Sequence, residues 1–274
     1  SVLIALIVAA TLLIRNDVID VSLAQAKELK MIVPSGEKSQ LILPDGTQVW
    51  LNSESKLVYP DDFTVRRERK VTLEGEAYFD VAKVNHSQFI VFTQDFKIKV
   101  LGTKFNIKSY PEDRTIETTV VEGMVRIESG KPKLNFSPII LKPTERLVYR
   151  KDTGSVTKKT AINTEPASGL EKVQAISSKE IFISHVNTRN ITCWKDHLLV
   201  FDNETFEEIA LKMSRWYKVE ITLLDEELKT QRYTGKFVHN ESLIQVLEAI
   251  RLTTPINYQI NQNTVEITLS KKND

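Results

Sequence analysis

From Val71 to Ile127 polar and apolar residues alternate, and no other feature constrains the fold as much. Val71, Leu73, Ala77, Phe79 and Val81 fall on odd positions, with polar residues on most even ones. Successive side chains of a strand point to opposite faces, so this pattern predicts half-buried strands, bent at Gly75. Phe96, Ile98 and Val100 take even positions, and Phe105 and Ile107 return to odd ones. Such a slip turns the buried face outward unless the backbone bulges or turns. Gly102, within Leu101-Gly102-Thr103, is the residue that can do either cheaply. A second slip separates Ile116, Thr118 and Val120 from Val121, Gly123, Val125 and Ile127. The expectation is a series of short kinked strands, not a helical domain.

The same reading extends to both sides. Strand patterning starts at Met31, and Leu41 and Leu43 lead into the turn Pro44-Asp45-Gly46, left by Val49 and Leu51 as a hairpin. Tyr59-Pro60-Asp61-Asp62-Phe63 marks a loop. Arg66, Arg67, Arg69 and Lys70 form a basic run, expected to be a solvated strand edge, with contact to anionic lipid as the alternative. Ile139-Ile140-Leu141 and Arg146-Leu147-Val148-Tyr149 continue the strands, and Asp152-Thr153-Gly154 is a turn. From Ala161 to Thr192 periodicity is lost; this reads as a linker or an excursion.

Beyond it the pattern changes. Leu198 to Phe201 is a short strand, and Thr205 with Glu208 can form a capping box. Phe206, Ile209, Ala210, Met213 and Tyr217 follow helical spacing. Val219, Ile221 and Leu223 alternate, and Tyr233 to Val238 is a further strand. Asn240 is a candidate cap for a helix carrying Leu243, Val246, Leu247 and Ile250, which stops before Pro255. Ile256 to Ile260 and Val265 to Leu269 close a hairpin. The order β-α-β, β-α-β-β describes a small α+β domain.

At the other end, Val2 to Ile14 is a thirteen-residue apolar run, broken only by Thr11 and followed by Arg15, Asn16 and Asp17. A spanning helix takes ~20 such residues. The run is read as the outer end of a transmembrane helix, with a signal-peptide core or a buried helix as alternatives.

Composition removes several function classes. A length of 274 residues suits two domains of roughly 100–150 residues. Net charge is +1, from 37 basic and 36 acidic residues, which argues against a nucleic-acid footprint. The four His and single Cys show no zinc-ligand spacing, and Cys193 has no internal disulfide partner. His86 adjoins Ser87 in a loop, which does not make a dyad. His185, His197 and His239 are scattered and suit surface or capping roles. Glu74, Glu76 and Asp80 share the face that alternation makes the solvent side. Trp50, Trp194 and Trp216 each adjoin an apolar pattern and read as core or hinge residues. No phosphate loop or dinucleotide glycine pattern occurs. No metal, cofactor or enzymatic chemistry is expected.

Four phrases occur in order: Leu43-Pro44-Asp45-Gly46-Thr47-Gln48-Val49-Trp50-Leu51-Asn52, Leu73 to Val81, Val100-Leu101-Gly102-Thr103-Lys104-Phe105-Asn106-Ile107, and Thr119-Val120-Val121-Glu122-Gly123-Met124-Val125. Together they resemble the FecR family of transmembrane anti-sigma regulators. Phe201 to Ile209 and Arg215-Trp216-Tyr217-Lys218-Val219-Glu220-Ile221 resemble the secretin and TonB short N-terminal (STN) fold found at the C-terminus of Bacteroidetes-type members. The resemblance implies a mainly β domain of stacked, kinked strands over 31–160 and an STN-like α+β domain over 194–270. Residues 1–14 would end the membrane helix, 15–30 connect it, and 161–193 link the domains. It also implies a single-pass inner-membrane protein with this region in the periplasm. The signalling domain of an outer-membrane TonB-dependent transporter would be one partner. The other would be an extracytoplasmic-function (ECF) sigma factor, held by a cytoplasmic domain absent from this sequence. The small α+β sheet predicts an open edge for the transporter, beside Val219, Ile221 and Leu223 or beside Tyr233 and Phe237. Some FecR-like regulators cut themselves at a Gly-Thr bond, which places a candidate at Gly102-Thr103, with His86 or Asp80 as conceivable bases and a plain β-bulge as the alternative reading. Two other classes remain open: a carbohydrate-binding or hydrolytic β-domain of the envelope, and a structural envelope adaptor.

Overall fold

The computed structural model describes residues 27–63, 68–84, 87–132, 136–151, 170–176 and 179–270. The apolar run 2–14, most of the connector, Arg66, Arg67, His86 and the turn at 152–154 lie outside the described residues.

The first domain contains β1 (Glu28–Ile32), β2 (Ser39–Ile42), β3 (Gln48–Leu51), β4 (Lys56–Pro60), β5 (Glu68–Asp80), β6 (Gln88–Phe92) and β7 (Phe96–Val100). It continues with β8 (Lys104–Ser109), β9 (Thr115–Glu122), β10 (Val125–Ser129), β11 (Ile139–Leu141), β12 (Glu145–Arg150), β13 (Leu170–Ile176) and β14 (Lys179–His185). Two sheets share one strand. The first half of β5 pairs with β4 and β6, and the second half pairs with β3 and β8. The bend falls at Gly75, whose φ is +107°. A Cβ there would lie 2.6 Å from the Ser55 Cα, so a side chain has no room. One sheet runs β1-β4-β5-β6-β7-β10-β11 and the other β2-β3-β5-β8-β9-β12-β14-β13.

Their inner faces enclose the core. Leu51, Leu57, Leu73, Phe79, Phe89, Phe105 and Leu147 are fully buried. Phe79 stacks on Phe105 at 5.2 Å and meets Phe89 edge-on at 5.9 Å. Both phase slips have structural counterparts. The chain leaves β7 in one sheet and enters β8 in the other, so Leu101–Thr103 is a crossover between sheets. The second slip is a bulge: Lys104 faces Glu122 while Phe105 faces Val120, which leaves Val121 extra.

The basic run departs from expectation at Arg69. It occupies the inward phase of β5, with Val71 and Leu73, and its side chain is 2% exposed. Its guanidinium donates to Asp45 Oδ2 at 2.6 Å, Ala82 O at 2.8 Å and Ser87 O at 2.7 Å. Arg69 is thus a buried staple, not part of a solvated edge. The 161–193 segment carries a hairpin that widens the second sheet, β14 pairing with β12 and β13 with β14. Helix α1 (Thr188–Thr192) and the 3-10 turn Cys193–Asp196 then lead into the second domain.

That domain runs β15 (Leu199–Thr205), α2 (Phe206–Tyr217), β16 (Glu220–Leu223), α3 (Glu226–Lys229), β17 (Arg232–Phe237), α4 (Leu243–Arg251), β18 (Ile256–Asn261) and β19 (Thr264–Leu269). β15 pairs with β17; β16, β19 and β18 form a separate three-stranded sheet. Phe206, Ile209, Met213, Val246, Leu247, Val265 and Ile267 make its own core. The Thr205–Glu208 capping box forms as expected. At α4, however, the cap is Ser242, boxed with Gln245, while Asn240 stands earlier at φ +56°. Ser242 wins because its hydroxyl lies three residues before an amide it can reach and a Gln that reaches back. The architecture is therefore a curled β domain followed by a small α+β domain.

Candidate functional site: open strand edges and the interdomain cleft

The two hydrophobic cores are separate, and what joins the domains is polar. The outward face of β8 meets the 3-10 turn, and the segment between β8 and β9 meets the C-terminal end of α2. Trp194 Nε1 donates to Asn106 Oδ1 at 3.1 Å. Asn106 Nδ2 in turn donates to Glu76 Oε1 at 2.9 Å, and Asn52 Nδ2 to Glu76 Oε2 at 2.8 Å. Glu76 therefore does not lie on a solvated face. Alternation placed it outward from the β-domain core correctly, but the second domain covers that face. Desolvation pushes its pKa above the usual carboxylate range, against the two amide donors and the nearby Lys108. Glu74 stays exposed and pairs with Lys56, while Asp80 pairs with Lys104.

The tightest interdomain contact is Arg215, in the last turn of α2 and 6% exposed. Nη2 reaches Asp113 Oδ1 and Glu112 Oε1, each at 2.5 Å, and the guanidinium lies 3.6 Å from the centre of the Tyr110 ring. Its own carbonyl accepts from Gly36 N at 3.0 Å and from Ser53 Oγ at 2.9 Å. Burial alone would lower the Arg215 pKa, but Asp113 beside it raises it overall. Asp113 is held below its usual range, since Lys108 and Arg215 outweigh its burial. Burial pushes the Tyr110 phenol well up. Next along, Lys38 Nζ sits 3.6 Å above the Trp216 ring, and burial lowers its pKa to about 8. A cavity of about 190 Å³ remains between the domains, lined by Glu76, Lys108, Glu117 and Arg146 on one side and by Trp194 and Lys212 on the other. No periodicity marks Asn106, Asp113 or Arg215 as interfacial; Asn106 and Arg215 stand in the sequence reading only within the phrases that resemble the FecR family. Only the hinge reading of Trp194 and Trp216 points to this interface.

The strands expected to receive a partner are both at sheet edges. β16 pairs only with β19, and β17 only with β15, among the described residues. Ile221 and Leu223 of β16 turn toward the domain core, as do Tyr233 and Phe237 of β17; Val219 precedes β16 and packs on the same core. The exposed positions are Glu220 and Thr222 of β16 and Arg232, Thr234 and Lys236 of β17. The sequence reading thus brings together two edges of one domain, but not one continuous surface, since β16 and β17 lie in different sheets.

Gly102 and Thr103 sit in the crossover between β7 and β8. Thr103 is buried, and its hydroxyl donates to Met124 O at 3.1 Å. Gly123, at φ +86°, packs over it: a Cβ there would lie 2.9 Å from Thr103 Oγ1. Among the described residues no group of His, Cys, Asp and Glu could hold a metal ion.

Comparison with known proteins agrees with this two-part layout. The family model described as FecR protein matches residues 30–126, and the one described as FecR, C-terminal, matches 198–267. Two crystal structures, at 1.65 and 2.50 Å, of a protein from Parabacteroides distasonis ATCC 8503 assigned as an anti-sigma factor are 28% identical. Each aligns over 89% of this chain and 100% of that one, with a TM-score of 0.73. No curated protein matches significantly. β10 through α1 fall mostly between the two matched spans, so the hairpin β13–β14 belongs to neither. With both of its characteristic parts matched in order, and a two-domain structure of the same shape, this chain belongs to the FecR family of anti-sigma factors.

Proposed function

We propose that this chain is the sensing region of a FecR-type regulator and lies in the periplasm. In this reading the signalling domain of an outer-membrane TonB-dependent transporter adds a strand to the α+β domain. The β domain passes the event toward the inner membrane, and a cytoplasmic domain of the full regulator holds an ECF sigma factor. The observation that carries the reading is the pair of open edges, β16 and β17, within the part matched as FecR C-terminal. An open edge offers unpaired amides and carbonyls to an incoming strand, and the alternate side chains give specificity.

The test is site-specific photo-crosslinking. A photoreactive side chain replaces Thr222 on β16 or Thr234 on β17, both exposed, or Thr72 on the outer face of β5 as a control. The expected result is capture of the transporter's signalling domain from Thr222 or Thr234 and none from Thr72. Capture from Thr72 alone would reject the reading.

A further inference from the structure

Two neighbouring residues at the end of α2 do different jobs. Arg215 seats the helix in a socket of the β domain, formed by Gly36, Ser53, Tyr110, Glu112 and Asp113. Ser214 faces the other way. Its Oγ accepts the backbone N–H of Ile221, in β16, at 3.2 Å. That amide matters because of its direction. Glu220 N bonds to Asn263 O and Leu224 N to Ile267 O, both on the β19 side. Amides alternate in direction along a strand, so the Ile221 N–H points away from β19, toward the open edge. Ser214 therefore occupies a donor that an added strand would use.

We infer that the end of α2 is a mechanical link between the two domains: a strand adding to β16 must displace Ser214 from Ile221, and in doing so disturbs the helical turn that holds Arg215 in its socket. The inference rests on the reading of β16 as a partner edge and states how occupation of that edge reaches the β domain. The geometry permits little slack. Ser214 O accepts the N–H groups of both Lys218 and Val219, so the turn, the left-handed residue Lys218 and β16 are tied within eight residues, 214–221. On the socket side, Arg215 is bound by both its guanidinium and its carbonyl, so rotation of the turn breaks the two sets together. Coupling between two sites is reciprocal, so loosening Arg215 should also free the β16 edge.

The experiment needs no partner. Spin labels at Lys30→Cys in the β domain and Asn257→Cys in the α+β domain, both exposed positions, report the interdomain distance. Amide hydrogen exchange at Ile221 reports the edge. In Arg215→Ala the distance distribution should broaden, and Ile221 should exchange at least about fivefold faster, the lower end of typical coupling. Amides of Val246 and Ile267 should keep their protection, showing that the domain stays folded. Ser214→Ala should broaden the distance distribution in return. Trp194→Phe removes a different interdomain contact, the bond to Asn106, without touching α2, and should loosen the domains while leaving Ile221 unchanged. Asp113→Asn serves as a milder release if Arg215→Ala does not fold. In the two socket variants, an unchanged distance in both, or loosened domains with Ile221 exchange unaltered, overturns the link. Neither measurement involves the transporter, so crosslinking failure at Thr222 would remove β16 as the partner edge, failure at both Thr222 and Thr234 would sink the partner reading, and either would leave this result standing.

Discussion

Arg69 and Glu76 are two polar residues of one strand whose environments have opposite origins. Arg69 points into the β-domain core and is matched there by Asp45, which is 3% exposed and also receives Thr47 N and Oγ1. Removing one member of such a pair strands the other charge in a dry site. Arg69→Ala should therefore cost about 3–5 kcal/mol in urea unfolding. Arg69→Met combined with Asp45→Asn should cost clearly less, since no lone charge remains. Equal losses in the two would show that packing, not charge, fixes the turn. Glu76 points out of that core and is enclosed only by the second domain. Its folded pKa is raised above the ordinary 4.5, so the folded state binds its proton more tightly than the unfolded state. The contribution of Glu76 is then most favourable below pH 4.5 and declines as pH rises through the raised value. Glu76→Gln removes that slope but loses one amide hydrogen bond. The expected outcome is a thermal midpoint that gains on the parent progressively as pH climbs above 4.5. A difference independent of pH would mean that Glu76 titrates as an exposed carboxylate does.

At the level of elements, alternation made most strands of the β domain legible, because inward and outward positions of a sheet differ sharply in polarity. Phe96, Ile98 and Val100 of β7 are all buried, as their phase required. Even the slips were meaningful, one becoming a crossover and the other the Val121 bulge. What could not be read was which outward face would be covered. Asn106 and Glu76 look like solvent-side residues of any antiparallel sheet, and only the position of α2 and Trp194 makes them interfacial. The hairpin β13–β14 was illegible for a different reason. Its pairing with β12 depends on a distant sheet edge, not on its own periodicity. Local signals served best at helix ends, where the Thr205 hydroxyl accepts Glu208 N at 3.3 Å. Thr205→Ala should destabilise the α+β domain by about 1 kcal/mol, measured by chemical denaturation. The crossover at Gly102-Thr103 invites a second test. An acyl shift needs the Thr103 hydroxyl to lose its proton to a base. Here the hydroxyl donates to a carbonyl, which cannot take that proton, and Asp80 is paired with Lys104 at 3.2 Å. The expected denaturing gel of purified protein shows one intact chain, identical in Thr103→Ala. Two fragments that vanish in the variant would establish cleavage.

The molecule as a whole is two cores joined by buried charges and a polar cavity. Desolvating charges of both signs offsets much of what their pairing gains, so such an interface holds orientation without adding much stability. That suits a relay better than a rigid scaffold, because a modest input at one domain can change the seating of the other. The direction of the proposed relay would follow from where the chain lies. Among the described residues no helix is long and apolar enough to cross a membrane, and the apolar run 2–14 precedes them. The entry of the chain into the β domain is fixed at β1, where Asp61 N bonds to Lys27 O at 2.9 Å beside the β1–β4 pair. If residues 2–14 end a membrane helix, only the twelve residues 15–26 separate the bilayer from the described β domain. A fully extended chain of that length reaches at most about 40 Å, so the β domain would stand close to the membrane surface and the α+β domain could point away. The full regulator, tagged on its cytoplasmic side, tests this in spheroplasts. Added protease should degrade residues 27–270 while the tag survives, and detergent should expose both. Protection of 27–270 in intact spheroplasts would place the domain pair on the cytoplasmic side, where no outer-membrane transporter could reach β16 or β17.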